Sequence, residues 1–129
     1  PSCTDTMQGY WRVRVGAQAR ALENQCFVAQ APTVSMADWS LVLDENYGMA
    51  GLFCPPDGDA PDDGVLAIGE PGVGGWVYGE VDPARVTRWR EDGAVRPFRH
   101  WPEQYAGRDR PAPLPGGRIG RLGGFQVSQ

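Results

Sequence analysis

Apolar residues at helical spacing mark the stretch from Tyr10 to Val28. Four of them fall at i, i+4, i+7 and i+11 and would form one stripe on a helix: Val15, Ala19, Leu22 and Cys26. We therefore predict an amphipathic helix whose stripe packs against a sheet or a second helix. Gly16 is less favourable than Ala in a helix interior by about 1 kcal/mol, so close packing is expected to compensate for it.

Short apolar runs separated by turn-forming residues predict the strands. The run from Cys26 to Ala29 directly follows the helix and ends ahead of Pro32. Three further runs are joined by connections rich in Gly, Pro and Asp, which predicts a meander of antiparallel strands. These runs are Ala50 to Cys54, Val65 to Ile68, and Trp76 to Val81.

Polar residues place the ends of the helices. Residues 1–6 are typical of a strand end that turns into a loop, and both Asp5 and Thr6 can cap the first helix. A second, short helix is predicted with Asp82 as its N-cap and Pro83 at its first position, ending at Gly93.

Length and composition indicate one domain. The chain has 129 residues, 41% of them apolar, and its 18 Gly and 12 Pro predict many loops. No apolar run is long enough for a membrane span and no secretory leader opens the chain, so we expect a cytoplasmic, excised piece of a longer product. The odd number of cysteines, without CxxC spacing, favours a reducing compartment over a disulfide framework.

Charge divides the chain in two. Residues 1–95 carry 6 Arg against 14 acidic residues, whereas residues 96–129 carry 6 Arg against 2. The acidic body argues against nucleic acid as a partner. The Pro-, Gly- and Arg-rich segment 96–129 lacks an apolar period, so we predict an extended tail that lies at an interface.

Several candidate sites are weak on spacing alone. The acidic run 57–63 has Pro61 at the fifth position of a calcium loop and no closing Glu, and the glycines at 72–75 do not precede a helix. With a single His, we predict no metal and no cofactor. A thiol enzyme would need exposed Cys3 to meet His100, whereas Cys26 and Cys54 are typical small buried hydrophobes.

The motifs RVRVGAQARALENQCFV, GLFCPPDG, GVLAIGE, GWVYGEVDPARVTRWRE and HWPEQY follow one another along the chain. Together they resemble the C-terminal half of the carbon-nitrogen hydrolase superfamily of nitrilases and aliphatic amidases, over about residues 1–105. The resemblance implies half of a four-layer αββα sandwich, namely one mixed sheet covered by helices. It places residues 1–95 in the hydrolase domain and leaves 96–129 as the tail.

Members of that superfamily hydrolyse amides, nitriles or carbamoyl groups with a Glu base, a Lys and a Cys nucleophile. All 12 basic residues here are Arg, and Cys3 does not match the nucleophile's place, so no catalytic residue is expected in this chain. The resemblance implies a substrate-pocket wall at Ser2, Cys3, Thr4 and Asp5. It implies a structural motif near a subunit interface at Arg20, Glu23 and Asn24.

Three interpretations follow. The first is the C-terminal portion of a homo-oligomeric hydrolase of non-peptide carbon-nitrogen bonds, whose N-terminal half carries the chemistry and binds an amide or nitrile. Alone, the chain is then inactive, with neither nucleic acid nor membrane as a partner. The second is a non-catalytic module that dimerises through an uncovered sheet face. The third is an independent thiol enzyme that uses Cys3 and His100.

Overall fold

A computed structural model describes residues 2–42 and 45–104. Helices and strands are mixed along the chain, as predicted for an α/β fold. The helices are α1 (Met7–Asn24), α2 (Pro83–Asp92) and α3 (Pro97–His100), followed by a 3-10 turn (Trp101–Gln104). The strands are β1 (Val28–Gln30), β2 (Ser35–Met36), β3 (Glu45–Asn46), β4 (Gly51–Phe53) and β5 (Val65–Ile68).

Helix α1 covers one face of a three-stranded sheet with the order β1-β4-β5. The helix begins where the Thr6 hydroxyl accepts a hydrogen bond from the Gly9 N–H at 3.1 Å, so Thr6 is the cap and Asp5 is not. It ends at Gln25, whose φ of 45° is left-handed and stops the helical hydrogen bonding.

The face of α1 that packs differs from the predicted stripe. Tyr10 and Ala21 are buried, whereas Val15 is 61% exposed and Leu22 is 39% exposed. Arg14 lies over the Phe53 ring of β4 at 5.9 Å, on the buried side. The predicted inward face was therefore wrong. The aromatic ring of Tyr10 and the small side chain of Ala21 fit the sheet, and Val15 and Leu22 remain on the opposite side.

Both pairings in the three-stranded sheet are antiparallel. Val28 lies opposite Phe53 between β1 and β4, and Leu52 lies opposite Ala67 between β4 and β5. Strands β4 and β5 confirm two of the predicted strands. A second, two-stranded ribbon joins β2 to β3.

The predicted strand from Trp76 to Val81 is wrong, because these residues form no β-ladder. Trp76 and Tyr78 are exposed, while Val77 is half-buried, so the apolar alternation reflects an extended segment that has one side toward the protein. A Cβ added at Gly79 would lie 2.8 Å from Leu52 Cδ2, so this segment passes close over the second face of the sheet.

Helix α2 has the predicted ends. The Asp82 carboxylate accepts a hydrogen bond from the Ala84 N–H at 2.9 Å, Pro83 occupies the first turn, and Gly93 is the C-cap. Trp89 is only 3% exposed and its ring meets Phe27 edge-on at 5.2 Å. This contact joins α2 to the end of α1 and the start of β1.

The segment predicted to be an extended tail begins with helical structure. Residues 97–104 form α3 and the 3-10 turn, and the Arg90 guanidinium of α2 lies 3.9 Å from the centroid of the Phe98 ring. One aromatic contact replaces the apolar period that the sequence lacks. Residues 105–129, which hold the rest of the predicted tail, lie outside the described residues, so the boundary at residue 96 stays a prediction. No helix in the described ranges is long and apolar enough to cross a bilayer.

Candidate functional site

The loop ahead of α1 presents an exposed thiol held by a buried amide. The Cys3 thiol donates to Asn46 Oδ1 at 2.8 Å, and the Thr33 hydroxyl donates to the same oxygen at 2.9 Å. Asn46 is 7% exposed, and its amide donates to the Ser35 carbonyl at 3.4 Å. An amide oxygen accepts a hydrogen bond but does not take the proton, so this contact holds a thiol without activating it as a nucleophile.

The neighbouring residues of this loop are tied to the backbone. The Thr4 hydroxyl donates to the Tyr47 carbonyl at 2.9 Å, and the Tyr47 N–H donates to the Thr4 carbonyl at 2.6 Å. Ser2 accepts from the Thr33 N–H at 2.9 Å, while Asp5 is exposed just before the helix. The structure thus brings Ser2, Cys3 and Thr4 onto the residues that flank the β2–β3 ribbon.

The remaining thiols and the histidine have other surroundings. Cys54 is buried, and burial raises the pKa of its thiol against the opposing effect of Arg85. The Cys26 thiol lies 3.9 Å from the Arg20 carbonyl. His100 Nδ1 lies 2.7 Å from a carboxylate oxygen of Glu103. Cys3 and His100 therefore each have a different partner, and the described contacts do not assemble the thiol-histidine pair.

The predicted structural motif lies at the exposed end of α1. Arg20 and Glu23 form an ion pair at 2.8 Å with most of both side chains in solvent, and such pairs contribute about 0–1 kcal/mol. The Asn24 side chain donates to the Arg20 carbonyl, and the Arg90 guanidinium donates to the Asn24 carbonyl at 3.2 Å. Asn24 thereby links α1 to α2, whereas Arg20 and Glu23 stay on the surface.

The buried anchor beside this motif is Gln25, which the sequence reasoning placed on the polar side. Its amide donates to the Trp89 and Val95 carbonyls at 2.6 and 2.9 Å, and its oxygen accepts from the Phe98 N–H at 3.1 Å. Gln25 is fully buried. The available signal was its position, a polar residue between the end of the helix and an apolar strand.

The acidic run 57–63 is tied into the fold by protein donors. Asp57 accepts from the Ala94 N–H at 3.0 Å, and Asp59 accepts from Arg85 at 3.1 Å. That hydrogen bond holds the pKa of Asp59 below its usual range. Within residues 2–42 and 45–104, no group of three or more His, Cys, Asp or Glu side chains could hold a metal ion.

A comparison with known proteins finds one informative likeness. Over 96 residues the chain is 38% identical to a Bacillus subtilis (strain 168) protein named "Probable hydrolase YhcX". The matched region is 74% of this chain but 19% of that relative, so the chain spans about a fifth of the relative's length. No protein-family model and no solved structure matches the chain.

Proposed function

We propose that this chain is the C-terminal portion of a hydrolase that acts on amide, nitrile or carbamoyl carbon-nitrogen bonds. The observation that carries the proposal is the 38% identity to a protein named as a hydrolase. That relative is far longer than the matched region, which is consistent with chemistry located in another part of the protein.

The geometry of the described residues supports the same division of labour. The exposed thiol of Cys3 rests on an amide oxygen of Asn46, and neither side chain is a base that could deprotonate it. The sequence contains no Lys to stabilise a tetrahedral intermediate. We therefore assign the nucleophilic Cys, the general-base Glu and the Lys to the segment upstream of Pro1.

In this proposal the upstream Cys attacks the carbonyl or nitrile carbon, and the Glu takes the thiol proton. The Glu passes that proton to the departing nitrogen, and water then releases the acid from the thioester. The role of the present chain is positional. Ser2, Cys3, Thr4 and Asp5 would line the substrate pocket, with Asn46 and Tyr47 fixing the loop from behind.

The architecture proposed for the whole protein is the four-layer αββα sandwich. The second face of the sheet is covered by an extended segment that contains exposed Trp76 and Tyr78, and Ile68 of β5 is 40% exposed. A second sheet from the N-terminal half would bury such side chains. The basic tail 96–129 is proposed to cross to a neighbouring subunit of a homo-oligomer, and tail deletion followed by sizing tests this.

The test of the proposed function is hydrolysis of simple amides by the full-length gene product and by residues 1–129 alone. We expect ammonia release by the full-length protein only, and we expect Cys3→Ser to retain most of that activity because the side chain lines the pocket without reacting. Turnover by residues 1–129 that is lost in Cys3→Ser would overturn the assignment.

The second candidate is a non-catalytic dimerising module. It is favoured by the outer side of α1, where Met7, Trp11 and Val15 are 43%, 47% and 61% exposed. The upstream reading frame separates the two candidates. A start codon immediately before Pro1 supports the module, whereas an upstream segment with Glu, Lys and Cys supports the hydrolase.

A further inference from the structure

The first described residue already pairs with the chain beyond β1. Ser2 and Pro32 form a parallel β-bridge, and the Ser2 carbonyl accepts from the Thr33 N–H at 2.9 Å. In a parallel pair the backbone groups of one residue bond to the residues on either side of its partner. The start of the chain therefore runs alongside the extension of β1 in the same direction.

Backbone alternation then shows which edge of β1 is open. Thr33 directs its N–H toward Ser2, so Ala31 and Ala29, at steps of two, direct their backbone groups to the same side. The opposite side of β1 is used by β4, where Gln30 lies opposite Gly51. The edge of β1 at Ala29 therefore has no strand beside it among the described residues, and the Ala29 side chain is exposed.

The bonding of β4 confirms this assignment independently. The Ala50 carbonyl accepts from the Gly69 N–H at 2.9 Å, so the groups of Ala50 face the β5 side. The next residue, Gly51, must then face β1 and bond with Gln30. Ala29, one residue away from Gln30, faces outward.

A groove of about 260 Å³ lies beside this edge, between α1 and β1. Its helix side is formed partly by Gly16 and Ala17, and a Cβ added at Gly16 would meet nothing within 4 Å. Gln30 lines it and is 7% exposed, yet its Oε1 has no hydrogen-bond partner. The buried Ser2 Oγ on the same groove also lacks a partner. These two oxygens would accept from a donor placed in the groove.

We propose that this edge receives a parallel β-strand formed by the residues immediately before Pro1, so that Ser2 is the last residue of that strand. The inference rests on the proposed function, which places a further segment upstream. The bridge sets the register: the residue directly before Pro1 lies opposite Gln30. Since Gln30 is on the α1 side of the sheet, that residue's side chain enters the groove.

Pro1 is compatible with this strand. Ser2 directs its carbonyl toward β1, so the backbone groups of Pro1 face the other way. The N–H that proline lacks is therefore not one that β1 requires. The upstream segment is also favoured over a free peptide because it is covalently joined to a residue already bonded in register, which raises its effective concentration.

The test is a disulfide cross-link in the full-length gene product. A cysteine replaces the residue directly before Pro1 and is combined with Gln30→Cys. Neighbouring strands lie roughly 5 Å apart, which falls within the Cα separation that a disulfide spans. In the matched control the same upstream cysteine is combined with Ala29→Cys, whose side chain is on the other face. We expect peptide mapping after mild oxidation to find at least about tenfold more cross-link with Gln30→Cys than with Ala29→Cys.

Hydrogen exchange in the unaltered full-length protein keeps the test decisive if a cysteine variant does not fold. The Ala29 and Ala31 N–H groups are expected to exchange at least about a hundredfold more slowly than unprotected amides, because the strand would accept from them. Exchange at the unprotected rate, or equal cross-linking at the two positions, overturns the strand. Amide hydrolysis by the same preparation reports on the proposed function: active protein with unprotected amides sinks only the strand, and protected amides in an inactive protein sink only the hydrolase assignment.

Discussion

The two ends of helix α1 are held in different ways. At the C-terminal end, the fully buried Gln25 amide satisfies three backbone groups of α2 and the segment after it, next to buried Trp89. At the N-terminal end, the exposed Cys3 thiol and the buried Ser2 hydroxyl belong to a loop fixed mainly through its backbone and Asn46. The first end is closed by its own hydrogen bonds. The second retains unused hydrogen-bonding capacity, as a surface that meets a substrate or another segment requires.

The largest expected effect is at the closed end. Trp89→Ala removes a ring that is 3% exposed, contacts Phe27 and donates to the Asp57 carbonyl, so we expect a loss of about 3–5 kcal/mol in the free energy of unfolding. Trp76→Ala is the matched control, because Trp76 is 87% exposed and its loss is expected to cost under about 0.5 kcal/mol. Urea denaturation measures both, and equal losses would contradict a closed end centred on Trp89.

Next in size is the buried amide. Gln25→Ala leaves the Trp89 and Val95 carbonyls and the Phe98 N–H without their partner, so we expect a loss of about 2–3 kcal/mol. Gln18→Ala removes a side chain whose hydrogen bond to the Asp63 carbonyl is exposed, and it is expected to cost about 0.5 kcal/mol or less. If the two variants have the same urea midpoint, Gln25 is not the anchor described above.

The thiols sharpen the comparison without a change in the fold. Burial raises the pKa of Cys54, so less of it is thiolate near pH 8 than for an ordinary thiol, and alkylating reagents also reach it poorly. Cys3 is exposed. We expect iodoacetamide to modify Cys3 at least about tenfold faster than Cys54, as measured by peptide mass spectrometry over time. Faster modification of Cys54 would mean that its surroundings are open.

The smallest effect is expected for the exposed pair of Asp59 and Arg85. The hydrogen bond from Arg85 lowers the pKa of Asp59 from 3.8, so its contribution to stability is present above pH 3.8 and is lost as the pH falls through the lower folded-state value. Asp59→Asn should therefore flatten the acid limb of the stability curve slightly and leave it unchanged near neutral pH. Urea midpoints measured from pH 5 to about pH 2.5 test this, and a loss confined to neutral pH would reverse the predicted sign.

Local signals in the sequence predicted the ends of elements better than their partners. Asp82, Pro83 and Gly93 each act within one helical turn, and the structure confirms the bounds they predict for α2. The packed face of α1 depends instead on which residues fit the sheet, so spacing alone selected the wrong side. Trp76 to Val81 alternates like a strand, yet a strand also needs a partner for its backbone, and alternation does not supply one.

The candidate site was predicted unevenly for the same reason. Ser2, Cys3 and Thr4 were grouped because they adjoin along the chain, and the structure places them against residues that follow β1 and β3. Asn46, which holds Cys3, lies 43 positions away, and no local pattern connects the two. Gln25 and Asp57 likewise act through backbone groups that only the fold brings near.

The central claim is that the reacting groups lie outside this chain, and trapping the covalent intermediate tests it most directly. The full-length protein is quenched in acid during amide turnover and digested, and mass spectrometry locates the acylated cysteine. We expect the acyl group on a cysteine upstream of Pro1, with Cys3, Cys26 and Cys54 unmodified. An acyl group on any of these three cysteines would contradict the account.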